Sequence, residues 1–127
     1  MVRKAYLDTH IIVWLYAGNL ENISDQAKKV IESFSLYYSP IVKLELEYLF
    51  EIKRLKEKPD PILSYLQGNI GLEVCNIPFT QIIHESLKHD FTRDPFDRII
   101  VSQAAIHSDK LISRDKLIND YYGKCVY

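Results

Sequence analysis

The 127-residue chain reads as an α/β fold on a mostly parallel sheet, and three features of the sequence predict it. Short apolar runs alternate with longer segments of helical periodicity, which is the pattern of βαβ units. The dipeptides Ser39-Pro40, Asp60-Pro61 and Asp94-Pro95 each offer an N-cap followed by a proline in the first helical turn. Acidic residues also fall where apolar runs end, Asp8 after AYL and Asp115 after LIS. These are carboxyl ends of strands, where open parallel sheets gather their ligands.

Taken in order, residues 4–8 (KAYLD) form a short buried strand and residues 11–17 a brief helix that stops at Gly18 and Asn19. Ser24 caps a helix to about Phe34, with Asp25 at the positive end of its dipole. Residues 36–39 are a second strand, and the helix begun at Ser39-Pro40 runs to about Lys58. Pro59 and Pro61 in EKPDP impose a helix boundary, too short to be a domain linker. A helix from Asp60-Pro61 reaches about Leu66, residues 73–77 are a third strand, and residues 79–88 are helical. Asp94-Pro95 opens a helix to about His107. Residues 110–113 are a fourth strand, 115–121 a short helix and 124–127 a last edge strand. The βαβ crossovers are expected to be right-handed.

Composition narrows the function classes. The length suits one domain covering residues 1–127, and 47% hydrophobic residues supply one core. No run approaches the roughly 18 apolar residues of a membrane span, and MVRKAYLDTH lacks the form of a signal peptide, so no membrane association and a cytoplasmic location are expected. Cys75 and Cys125 have no metal-ligand spacing and read as free thiols. A net charge of −1 argues against a protein that holds nucleic acid by charge alone, but not against an enzyme whose metal ions and local Lys or Arg contact phosphate.

The carboxylates carry the chemistry. On a helix, Ile41, Glu45, Tyr48, Leu49 and Ile52 share one stripe, so Glu45 sits among apolar neighbours while Glu47 and Glu51 point away. Asp97 has Ile100, Val101 and Ala104 at i+3, i+4 and i+7. Each acid also has a structural reading: Glu45 paired with Arg98 or Arg114, Asp94 and Asp97 as a capping box, and Asp8 and Asp115 as N-caps. The conjunction shifts the balance, because four acids from four separate segments are all consistent with one sheet edge. Like charges that close repel and raise each other's pKa. Mg2+ or Mn2+, hard ions that prefer carboxylate oxygen, removes that penalty and suits hydrolysis of phosphate esters. Ser113 and Thr9 are placed to hydrogen-bond a carboxylate or a water. Arg93, Arg98, Arg114 and Lys116 surround the acids in sequence and balance charge or meet a phosphate backbone. The four histidines show no ligand spacing and read as surface residues or residues behind the acids. Tyr37, Tyr38, Tyr121 and Tyr122 suit core packing, an interface or base stacking.

LDTHIIVWLYAG, SPIVKLELEYL, RDPFDRIIVSQA and LISRDKLINDY resemble the successive motifs of PIN-domain nucleases over nearly the whole chain, with the spacing of VapC-type toxins. DPFDR before an apolar helix with Gln-Ala is the most specific of them. The resemblance implies a three-layer α/β/α sandwich and an endoribonuclease dependent on Mg2+ or Mn2+. It places Asp8 and Asp97 as principal metal ligands. Glu45 completes the cluster or orients water, Asp115 binds a second ion or outer water, and Asp94 is an additional acid. It also implies a homodimer held by a cognate antitoxin. Two positions depart from the pattern: Thr92 stands where His is common, and Val42 where Ser or Thr is common. The alternative is a PIN-like regulatory module that no longer cuts. A phosphatase of the aspartyl-phosphate type is disfavoured, since position 10 is His rather than a second Asp.

Overall fold

The computed structural model describes residues 3–127. Five strands, β1 (Lys4–Leu7), β2 (Ser35–Tyr38), β3 (Glu73–Val74), β4 (Lys110–Ile112) and β5 (Cys125–Val126), form one sheet in the order β3-β2-β1-β4-β5. Every pairing is parallel. Seven helices, α1 (Thr9–Ala17), α2 (Asp25–Ser33), α3 (Pro40–Glu51), α4 (Pro59–Ile70), α5 (Phe79–Ser86), α6 (Pro95–Ala105) and α7 (Lys116–Tyr121), cover both faces in three layers. From β1 the chain first extends the sheet through β2 to β3, then returns to β4 on the opposite flank. The strand order therefore reverses between β1 and β4. A crevice opens beyond the carboxyl ends of strands at such a switch point.

The sheet centre is sealed by residues that expose almost nothing, among them Ala5, Leu7, Leu36, Leu111 and Ile112. Helices α1, α3 and α6 add Ile11, Ile12, Val42, Leu46, Ile100, Val101 and Ala104 to the same cluster. Apolar runs buried on both faces are what a parallel sheet between helices requires. Ser39 begins α3 as its N-cap and also donates 2.8 Å to Gln103 Oε1 on α6, so one buried hydroxyl both starts a helix and joins two. Arg98 donates 2.9 Å to the Ser86 carbonyl and ties α6 to α5. His89, buried, lies 2.6 Å from the Tyr121 hydroxyl and 2.9 Å from Glu85, while Phe91 stacks on Tyr121. The segment before α6 is thereby fastened to α7. No helix among the described residues is long and apolar enough to cross a membrane, and Cys75 and Cys125 are free.

Four expectations need correction. The helix begun at Pro40 ends at Glu51, not near Lys58, because Lys53 takes a left-handed φ of 65° and the chain turns back. The cationic KRLKEK stretch has no apolar face to hold it helical, and Pro59 disfavours helix just before it. α4 in turn runs four residues past Leu66 to Ile70, stopped by Gly71 at φ 71°. Third, the buried face of α3 is Val42 and Leu46, whereas Tyr48 is 49% and Ile52 44% exposed. The stripe through Glu45 is thus the rim of the helix and not its centre. The third strand is also shorter than expected, Glu73–Val74, as befits a sheet edge.

Replacing Ser39 with Ala removes a cap and strands the Gln103 amide in the core. A loss of about 1–3 kcal/mol in chemical-denaturation stability is expected; an unchanged midpoint would contradict this role.

Candidate active site

The crevice beyond β1 and β4 is a cleft of about 340 Å³ lined by Asp8, His10, Trp14, Glu45, Asp94, Asp97, Arg114 and Asp115. Its acids arrive by ordinary local chemistry. Asp8 follows β1 and caps α1, its Oδ1 accepting 2.8 Å from the Thr9 amide. Asp94 caps α6, accepting 2.9 Å from the Phe96 amide. Asp115 caps α7, accepting 3.0 Å from the Ile118 amide. Asp97 stands in the first turn of α6. Three helices therefore start at one place, and the positive ends of their dipoles favour negative charge there. The capping readings and the cluster reading are compatible, because a carboxylate has one oxygen for the cap and another for the cleft.

Two hydroxyls order the cluster. Ser113, fully buried just past β4, donates 2.6 Å to Asp8 Oδ2 and accepts 3.1 Å from the Asp115 amide. One side chain thus sets the relation between Asp8 and Asp115. The Thr9 hydroxyl donates to Glu45 Oε1 across from α1 to α3. Glu45 sits half-buried at the rim of α3, and this hydroxyl, not Arg98 or Arg114, is its partner. Arg98, expected near phosphate, is spent on the Ser86 carbonyl and does not line the cleft. Arg114 does line it.

Burial pushes the Asp8 carboxyl up from its usual range, with the Ser113 and Thr9 hydrogen bonds opposing. Burial also raises Glu45, against the Thr9 bond. Asp97 is pushed up to about 7 by burial first, then by the charges of Asp8, Asp94, Asp115 and Glu45. No hydrogen bond offsets this at Asp97. Burial, joined at Asp97 by the neighbouring carboxylates, disfavours the charged forms, and a cation would relieve that cost.

The donor set fits a hard divalent ion: carboxylate oxygens, no thiol, and one exposed histidine. Among the described residues no three such side chains already close on a single point. Mg2+ is commonly held through one or two carboxylates and keeps several waters. Asp8 is the most buried of these acids, and Asp97 is part-buried with no hydrogen bond to offset it, so these two are the first candidates to hold the ion. His10 and Trp14 complete the cleft without having been singled out as site residues by the sequence. Their signal was their i, i+4 spacing on the helix that Asp8 starts.

The raised carboxyls set a sign for pH. Asp97 carries a proton in the folded protein up to about 7 but only to about 3.8 when unfolded. Folding therefore binds protons in that window, and this contribution to stability is present below pH 3.8 and lost as pH rises through about 7. In chelator, Asp97→Asn should leave the melting temperature near that of the parent at pH 4 and raise it by roughly 4 °C or more at pH 8. The same difference at both pH values would show that the charges do not repel in this way.

Comparison with known proteins agrees with the geometry. The PIN domain matches residues 5–124. Ribonuclease VapC22 of Mycobacterium tuberculosis is 28% identical over 119 residues, covering 91% of this chain and 89% of the relative. In fold, a toxin–antitoxin complex from Klebsiella pneumoniae superposes with a TM-score of 0.66 at 23% identity, covering 97% of this chain and 96% of that one. DNA-bound VapBC from Salmonella typhimurium gives 0.66 at 20% identity, with 99% and 98% covered. VapBC2 from Rickettsia felis, bound to a promoter fragment, gives 0.61 at 17%, with 98% and 97% covered. A family match that begins in β1 and ends just before β5, over a sheet whose switch point gathers these carboxylates, means that the chain belongs to the PIN-domain family.

Proposed function

We propose that this chain is an endoribonuclease that hydrolyses RNA phosphodiester bonds with Mg2+ or Mn2+, and is the toxin of a toxin–antitoxin pair. The observation that carries the reading is the strained gathering of Asp8, Glu45, Asp97 and Asp115, with Asp94 beside them, in one open cleft. A silent module has no use for a charge cluster that destabilises the metal-free protein. The relative's ribonuclease activity and the toxin–antitoxin neighbours support the same reading. An antitoxin partner, a homodimer, one domain over residues 1–127 and a cytoplasmic site of action go with it.

Asp8 and Asp97 would hold the metal, with Asp115 lining the same cleft and Asp94 adding negative potential at the same helix starts. Bound there, a divalent ion neutralises phosphoryl charge in an in-line displacement and acidifies the attacking water. Glu45, held by Thr9 and lining the cleft, is placed to accept a proton from an attacking water. Ser113 keeps the Asp8 carboxylate in one rotamer, and Arg114 meets the phosphate backbone at the rim.

Cleavage of RNA by the parent should need Mg2+ or Mn2+ and stop in chelator. Asp8→Asn and Asp97→Asn, purified identically, should lose at least about 100-fold in rate, the scale seen when one electrostatic partner of a transition state is removed. Full activity in both variants would sink the nuclease reading. Ser113→Ala should weaken the metal midpoint about 10–100-fold, as loss of a supporting hydrogen bond to a ligand does. An unshifted midpoint would show that Asp8 does not depend on Ser113.

A further inference from the structure

Besides its carboxylates, the cleft is lined by two rings and one cation. Trp14 follows His10 by one turn of α1, with ring centroids 6.2 Å apart. The Arg114 guanidinium lies 5.7 Å from the Trp14 ring and 5.8 Å from the Tyr127 ring, within cation–π range of both. Arg114 is exposed, neighbours Asp115 in sequence and shares a cleft with five carboxylates. Even so, it forms no ion pair with any of them among the described residues. It lies against two aromatic rings instead, and its forked donors remain free for an anion brought from outside.

We propose that Trp14 and Arg114 form a nucleotide subsite beside the acid cluster, in which Arg114 takes a phosphate of the RNA strand and the Trp14 indole stacks on the adjoining base. The inference rests on the ribonuclease reading and adds to it how the strand is gripped. The helix sets Trp14 apart from the acid that would hold the metal. Trp14 lies six residues along α1 from the capping Asp8, about 9 Å at 1.5 Å per residue. A half-buried indole supported by the core gives a rigid platform at low entropic cost. Base stacking on such a ring tolerates any base, while the guanidinium supplies the attraction that an otherwise acidic cleft lacks. The cleft then has two ends of opposite character, carboxylates for the metal and an aromatic cation for the strand.

Trp14 is the one tryptophan of the chain, so its fluorescence reports on this subsite alone. In Asp97→Asn protein with Mg2+, titration with hexariboadenylate should quench that fluorescence saturably, and a base-free ribose-phosphate hexamer should not. Equal quenching by both would mean that phosphate only displaces Arg114, and no quenching would mean that no base reaches the indole; either overturns the proposal. In cleavage assays Trp14→Leu should raise KM about 10-fold, the usual scale for one lost base stack, with kcat little changed and Trp14→Phe largely restoring it. Equal loss in Leu and Phe variants, or a fall in kcat alone, would assign Trp14 a merely structural part. The fluorescence titration decides the subsite even if the parent proves not to cut RNA, which would defeat the nuclease reading separately.

Discussion

The hydrogen bond from Ser113 to Asp8 joins the ends of β1 and β4 across the point where the strand order reverses. Both residues are buried and stand 105 positions apart in the chain. Parallel pairing of Leu7 with Ile112 brings them there, and the Asp8 amide donating 3.0 Å to the Ile112 carbonyl extends that ladder by one step. Everything in the cleft is arranged around this junction. Asp8 starts α1, which delivers Thr9 to Glu45 and Trp14 to the rim, and Ser113 holds the amide of Asp115, which starts α7. An apolar residue at position 113 would keep the sheet and lose the alignment of two acids.

The site is assembled against electrostatics, and the fold supplies the force. Three helix starts hold like charges within one cleft, and burial first, then those neighbouring carboxylates, pushes Asp97 up to about 7. The extensive buried cluster beneath, running from Ala5 to Val126, provides the rigidity. Behind the site, His89, Tyr121, Glu85 and Phe91 brace the segment leading into Asp94 and Asp97 against the helix that Asp115 begins. Stability at the back of the molecule is thus what permits a repulsive arrangement at the front, a division common where binding sites store strain.

Local signals were enough to identify most elements and all of the acids. The Pro-led helix starts, the Ser24 cap and the apolar runs are written in adjacent residues, and those elements form within a few positions of where the sequence puts them. Errors arose where a neighbour decides. The helix from Pro40 stopped early where Lys53 turns the chain back, and the stripe through Glu45 proved to be a rim because Val42 and Leu46 are the residues that join the buried core instead. Periodicity shows that a helix has an apolar side but not which part of that side another element will cover.

What the sequence by itself determined is chemical: which carboxylates exist, that all but the mid-helix Glu45 sit at the start of a helix or the end of a strand, and that strands and helices alternate. Those facts depend on residues close together in the chain, where capping, proline and alternation act. Only the tertiary structure decided who meets whom. It gave Glu45 to Thr9, Asp8 to Ser113 and Arg98 to the Ser86 carbonyl, and it set Arg114 between Trp14 and Tyr127, clear of the acids. Most of these partners are many residues apart in the chain, and their meeting follows from strand order and helix packing, which no local propensity encodes.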